Sequence, residues 1–231
     1  MYFDTTWFIF ILPALLISLW AQIRVKSAFS KYSNVPARLT GAQASAAIQR
    51  QRQISVPIRA VAGELTDNFD PRENVIHLSE PVCNVASVAA VGVAAHETGH
   101  ALQYAENYAP MRWRSAIVSV TRIASSVSVW VFLIGMLIAS AIQNYAVAYL
   151  GIAGFAIVFL FQLITLPVEF NASRRAIRAL EEGNLLSEEE LRGARKVLSA
   201  AALTYVAAML ASLAQVLRLL AILNNSRGRR R

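Results

Sequence analysis

Three stretches of the chain carry no charged residue and are long enough to cross a hydrocarbon core, which takes about 20 residues as helix. The first runs from Thr5 to Ile23, between Asp4 and Arg24. It lacks the basic start and small-residue cleavage site of a signal peptide, so it reads as a retained anchor, with Trp7 and Trp20 near its two interfaces. The second, Ile123 to Val168, is too long for one span and reads as a hairpin with a polar break near Gln143-Asn144-Tyr145. The third, Val197 to Leu217, is rich in Ala and Leu and is followed by Arg218. The pattern predicts an α-helical membrane protein with three to four transmembrane helices: an anchor at 5–23, a hairpin at 115–168, and a membrane or interfacial helix at 197–223.

Between these runs the periodicity changes. Residues 24–114 read as a small α+β domain. Thr40-Gly-Ala-Gln43 has capping-box spacing ahead of a short helix from Ala42 to Gln51. Val56 to Ala62 and Asn74 to Leu78 are β-branched runs that predict strands, and Asp67-Asn-Phe-Asp-Pro71 between them has the composition of a turn. Asn84 to Glu106 is free of proline and rich in alanine, and predicts one long core helix. Ser187-Glu-Glu-Glu190 repeats the capping pattern within the polar segment 169–196.

Composition agrees with the spans. The 231 residues are 56% hydrophobic and only 16% charged, which excludes a disordered chain, a coiled coil and an ordinary soluble globule. The single cysteine, Cys83, excludes an intrachain disulfide framework and any CxxC metal site. A net charge of +8 on so apolar a chain reports membrane topology rather than nucleic-acid binding, for which no recognition motif is present. Arg24, Lys26, Lys31, Arg112 and Arg114 lie between anchor and hairpin, Arg174, Arg175, Arg178, Arg192, Arg195 and Lys196 follow it, and the hairpin tip has no charge. The positive-inside rule then places 24–114 and 169–196 in the cytoplasm and the tip outside. The basic tail at 224–231, with Arg227, Arg229, Arg230 and Arg231, fits either a final span against that rule or a helix lying in the cytoplasmic interface.

Chemistry concentrates at His96-Glu97-Thr98-Gly99-His100, which holds two of the three histidines in the chain. Histidines at i and i+4 project from one helical face and can reach one tetrahedral zinc ion, while the intervening glutamate is placed to take a proton from the attacking water. In a helix otherwise so poor in polar groups, an unpaired His-Glu-His face would be costly to bury. A catalytic zinc has three protein ligands, so one more is needed: His77 or a carboxylate. The order of segments points to Glu169, because the hairpin returns the chain at Pro167-Val-Glu169 to the membrane face from which Arg112 and Arg114 departed. His77, in a candidate strand, reads better as a surface or supporting residue.

The N-terminal anchor, Leu65-Thr-Asp-Asn-Phe-Asp-Pro-Arg72, Val93-Ala-Ala-His-Glu-Thr-Gly-His-Ala101 and Leu166-Pro-Val-Glu-Phe-Asn-Ala-Ser-Arg-Arg-Ala176 together resemble the YugP-type membrane zinc metallopeptidases of bacteria. The layout is also similar to HtpX and the CAAX prenyl proteases. The resemblance implies a zincin-like (gluzincin) domain in the bacterial inner membrane, one Zn²⁺ per chain on His96, His100 and Glu169, and Glu97 as general base. The HtpX-like pattern has an aspartate four residues after its glutamate ligand, where this chain has Ser173; Ser173 or Asn171 is then the residue expected to support a ligand histidine. The similar enzymes also imply that a strand such as Asn74, Val75, Ile76, His77 and Leu78 pairs with an extended substrate. Arg174, Arg175 and Tyr104 are candidates for oxyanion stabilisation.

The sequence thus predicts a membrane zinc metalloendopeptidase acting on membrane-associated or misfolded proteins at the cytoplasmic face. Its partners are a protein or peptide substrate and the lipid bilayer, with no nucleic acid and no oligomeric state specified. The competing reading is a zinc-binding but inactive membrane scaffold, against which the intact Glu97 argues. A metal transporter fits less well, since His96, His100 and Glu169 lie outside the charge-free spans.

Overall fold

The computed structural model describes residues 5–64 and 66–228, so Leu65 and Arg229, Arg230 and Arg231 of the tail lie outside the described residues. A π-helical turn, Trp7–Ile11, leads into α1 (Leu12–Ser33). There follow α2 (Gly41–Gln51), β1 (Ile58–Val61), β2 (Asn68–Asp70), β3 (Val75–Ser79), the short α3 (Glu80–Cys83) and α4 (Val88–Ala105). Three long helices complete the chain: α5 (Ala109–Ile142), α6 (Ala146–Glu182) and α7 (Glu188–Gly228). Among the described residues four helical stretches are long and apolar enough to cross a membrane: Trp7–Ser33, α5, α6 and α7. The fold is mostly helical, with one small sheet.

The chain divides into two compact units. One comprises Met1–Trp20, Trp113–Leu166 and Tyr205–Arg231. Its α5 and α6 meet through small residues. A Cβ on Gly135 would strike the backbone of Ala148, and one on Gly154 would strike Ser128. Such close approach replaces the hydrophobic driving force that apolar surroundings do not supply. The hairpin breaks at Gln143–Tyr145, where Asn144 Oδ1 accepts the Ala146 N–H at 2.9 Å and so starts α6. The far end of α7 packs along this hairpin, with Leu219 and Leu223 buried against Phe132, Ala148 and Ile152.

The other unit comprises Ala21–Arg112 and Pro167–Thr204. Thr40 and Gln43 form the expected capping box on α2, and Ser187 with Glu190 forms another ahead of α7. Helix α4 runs through the middle. Its core joins Ile48 of α2, Val91 and Ala95 of α4, and Ile177 and Leu180 of α6 with Leu191, Ala194 and Leu198 of α7. A second cluster places Phe69, Ile76 and Leu78 of the sheet against Ala94 and Ala101 of α4 and Val168 of α6.

Two local expectations change. The helix expected from Asn84 begins at Val88, because Ser87 Oγ caps the Ala90 N–H and Pro36 bridges to Ser87. The turn expected at Asp67–Pro71 is in part a strand: β2 pairs antiparallel with β3, and the reversal falls at residues 71–74, with Asn74 at φ 52°. The sheet order is β1-β3-β2, β1 running parallel to β3. The strand Asn74, Val75, Ile76, His77, Leu78 therefore has no edge left for a substrate: β3 is central, and both of its hydrogen-bonding sides are occupied by the chain itself.

Candidate metal centre

Helix α4 presents His96, Glu97 and His100 at its middle. The Ser87 cap and the alanines before His96 let the helix form with little side chain of its own, so α2, α6 and the sheet pack close around it. On α6, Glu169 is 1% exposed, and its Oε2 lies 3.2 Å from His96 Nε2 and 3.4 Å from His100 Nε2. The donor atoms of these three residues all fall within 4.8 Å of one another, and this is the one such grouping among the described residues. Two ligands bound about 2.0–2.1 Å from a tetrahedral zinc lie about 3.3 Å apart, so the observed spacings match that geometry.

The hydrogen bonds around the imidazoles test the fit more sharply. Gln103 is fully buried, and its Nε2 donates to Val168 O at 2.8 Å and to Asn171 Oδ1 at 2.9 Å. Its Oε1 is thereby left as the acceptor facing His100 Nδ1 at 2.9 Å, which assigns the proton to Nδ1. The Nε2 lone pair of His100 then points at a carboxylate oxygen, an arrangement of two acceptors that calls for a cation or a proton between them. Ser173 Oγ stands 3.1 Å from His96 Nδ1 and can fix that ring in the same sense. Two imidazoles and a buried carboxylate, each imidazole anchored through its second nitrogen, fit a zinc ion.

Glu97 is buried beside this cluster. Its Oε2 accepts the backbone N–H of Phe69 from β2 at 3.0 Å. Burial is the main force pushing its carboxyl up to about 7; Glu169 and Asp67 push the same way, while His96 and the Phe69 N–H oppose them. The Phe69 N–H that reaches Glu97 points away from β3, so the free edge of β2 faces the centre.

The remaining candidates separate. Ser173 reaches His96 directly, and Asn171 reaches His100 through Gln103. His77 is half-buried in β3 opposite Arg59 and Asn68, apart from the three-residue grouping. Tyr104 packs against Phe69 with ring centroids 5.6 Å apart and lines a cleft of 710 Å³ along with Ala101, Asn74 and Arg112. Arg175 is held by Asn171 and Glu106, and Arg174 lies away from the centre in a separate pocket. Sequence reasoning missed Gln103 and the Phe69 amide. Gln103, one turn beyond His100 on the same face, had a helical-spacing signal; a backbone amide has none.

Residues 7–224 match the model of a family described as "Putative neutral zinc metallopeptidase", and the chain belongs to that family. Among curated proteins it is 46% identical over 224 residues to "Putative membrane protease YugP" of Bacillus subtilis (strain 168), covering 95% of this chain and 98% of the relative. No solved structure gives a significant match.

Proposed function

We propose that this membrane protein is a zinc-dependent endopeptidase in which His96, His100 and Glu169 hold one zinc ion and Glu97 is the general base. The observation that carries this is the His100–Gln103 tautomer lock, which turns a nitrogen lone pair towards the Glu169 carboxylate 3.4 Å away, beside a buried acid of raised pKa. A bound zinc supplies Lewis acidity, sharpening the acidity of a water and polarising a peptide carbonyl. Glu97 accepts the proton of the attacking water and passes it to the leaving amine. Its Oε2 is held in place for that transfer by the Phe69 N–H. Gln103 and Ser173 keep the rings oriented.

The substrate is a polypeptide in extended form. With β3 enclosed, the edge available to it is β2, whose outward Phe69 amide lies at Glu97. The family relationship and the membrane-protease relative support the peptidase reading, and the loop charges support a centre on the cytoplasmic side. The test is cleavage of an unfolded model protein by the detergent-purified chain, wild type beside Glu97→Gln, with zinc measured in both. Zinc in both and a loss of about 10²–10⁴-fold in rate for the variant is the expected result. Equal rates would reject Glu97 as base, point to a contaminating protease and return the inactive scaffold to contention.

A further inference from the structure

Outside the metal centre, the second unit contains a pocket of 330 Å³ lined by Arg52, Arg174, Arg175 and Arg178, with Glu106 and Asn171. Four arginines thus line a concavity that contributes a single carboxylate. Two of them are engaged: Arg175 pairs with Glu106 at 2.7 Å, and Arg52 pairs with Glu182. Among the described residues neither Arg174 nor Arg178 has an ion-pair or hydrogen-bond partner, although they stand one turn apart on the same face of α6. The helix dipole does not account for them, because the last turn of α6 contains no basic residue.

We propose that this pocket binds a phosphate-type anion, supplied either as a free phosphate group or as the headgroup of an anionic lipid. The chemistry is specific. Guanidinium groups are planar forks matched to phosphate oxygens, and they hold them by charge-assisted hydrogen bonds. Arg175 is already pre-set for this, with its Nε fixed by Asn171 Oδ1 at 2.6 Å and its Nη1 by Glu106. The volume corresponds to about ten waters, enough for one phosphate group and its remaining hydration. Arg174 also follows Val168, the end of the apolar stretch, by about two helical turns, a position from which a membrane headgroup can be met. The pocket further shares Asn171 with the support of the metal centre, since the same Oδ1 that takes Arg175 also takes Gln103, the partner of His100.

The experiment uses the full chain in neutral detergent and inorganic phosphate as probe, followed by titration calorimetry. Wild type is expected to bind phosphate saturably. Arg174→Gln/Arg178→Gln is expected to bind about tenfold or more weakly, and the charge-keeping Arg174→Lys/Arg178→Lys to fall between. Arg59→Gln/Arg192→Gln, which removes the same charge elsewhere, is expected to match wild type. In nanodiscs of phosphatidylcholine with and without phosphatidic acid, displacement of phosphate by phosphatidic acid identifies the headgroup as the ligand; retention identifies the free anion. No saturable binding of either probe, or equal weakening in both Gln double variants, overturns the proposal.

Discussion

Gln103 decides the protonation of the centre from one turn beyond His100. Its three hydrogen bonds link α4 to Val168 and Asn171 of α6 while holding His100 Nδ1. Replacing it by Leu removes all three, leaves the Val168 carbonyl without this donor, and frees the imidazole to turn. Gln103→Leu is expected to weaken zinc binding by about 10–100-fold in chelator competition, with the chain still in the membrane. Ser173 gives the converse experiment: at 3.1 Å from His96 Nδ1, Ser173→Asp places a stronger acceptor there and is expected to tighten zinc binding. Asp67 tests charge by pH. Its carboxyl is raised above the ordinary value by burial, against the pull of the Ser79 N–H and hydroxyl. A carboxyl whose folded pKa exceeds its unfolded one binds its proton better in the native state, so ionisation costs stability as pH rises above about 4. Asp67→Asn is expected to flatten the decline in melting temperature across that range, and an unchanged decline would reject the assignment. At this scale the His-Glu-His face was legible because i,i+4 spacing is local. Ser173 and Asn171 were legible only as candidates, and Gln103 not at all, because its role exists only where α6 packs on α4.

That packing depends on one small residue. A Cβ on Gly99 would lie 2.6 Å from the Ala172 carbonyl oxygen, so α4 and α6 approach through bare backbone between the two histidines and the helix that carries Glu169. Gly99→Ala forces α6 outward. The expected results are a loss of about 1–3 kcal/mol in stability from overpacking and weakened zinc binding, although no candidate ligand is touched. Wild-type zinc affinity in a folded Gly99→Ala chain would show that the centre tolerates the displacement. The elements themselves were unevenly readable. The capping boxes at Thr40 and Ser187 are local chemistry and appear where the sequence places them. Strand β2 does not announce itself: Asn68-Phe-Asp70 is three residues long, carries one buried apolar side chain and is bounded by turn formers. It is a strand because β3 offers its other side, a non-local cause. The start of α4 was misplaced for a similar reason, since the pairing of Pro36 with Ser87 comes from a distant segment.

For the whole molecule, the open question in the sequence was the final helix, which the basic tail made hard to place. Helix α7 runs to Gly228, and near its end Arg227 donates to the Tyr149 hydroxyl at 3.0 Å and lies over the Tyr145 ring. Tyr145 and Tyr149 border the hairpin tip, so within this unit the C-terminal end of α7 lies at the tip end of α5 and α6 rather than across their other end. An interfacial helix would not meet the tip this way; a fourth span would. On that reading Arg227 and the hairpin tip would lie on the same face of the membrane, and the loop arginines would outweigh the tail in setting orientation. Cysteine labelling can decide this, because the chain has a single native thiol, Cys83, half-buried in the described structure. In a Cys83→Ser background, Asn144→Cys and Asn225→Cys are both expected to react with a membrane-impermeant maleimide on intact cells, and Arg192→Cys only after lysis. Labelling of Arg192→Cys on intact cells would invert the orientation and move the metal centre to the outer face. Labelling of Asn144→Cys without Asn225→Cys would detach the end of α7 from the tip and restore the interfacial helix.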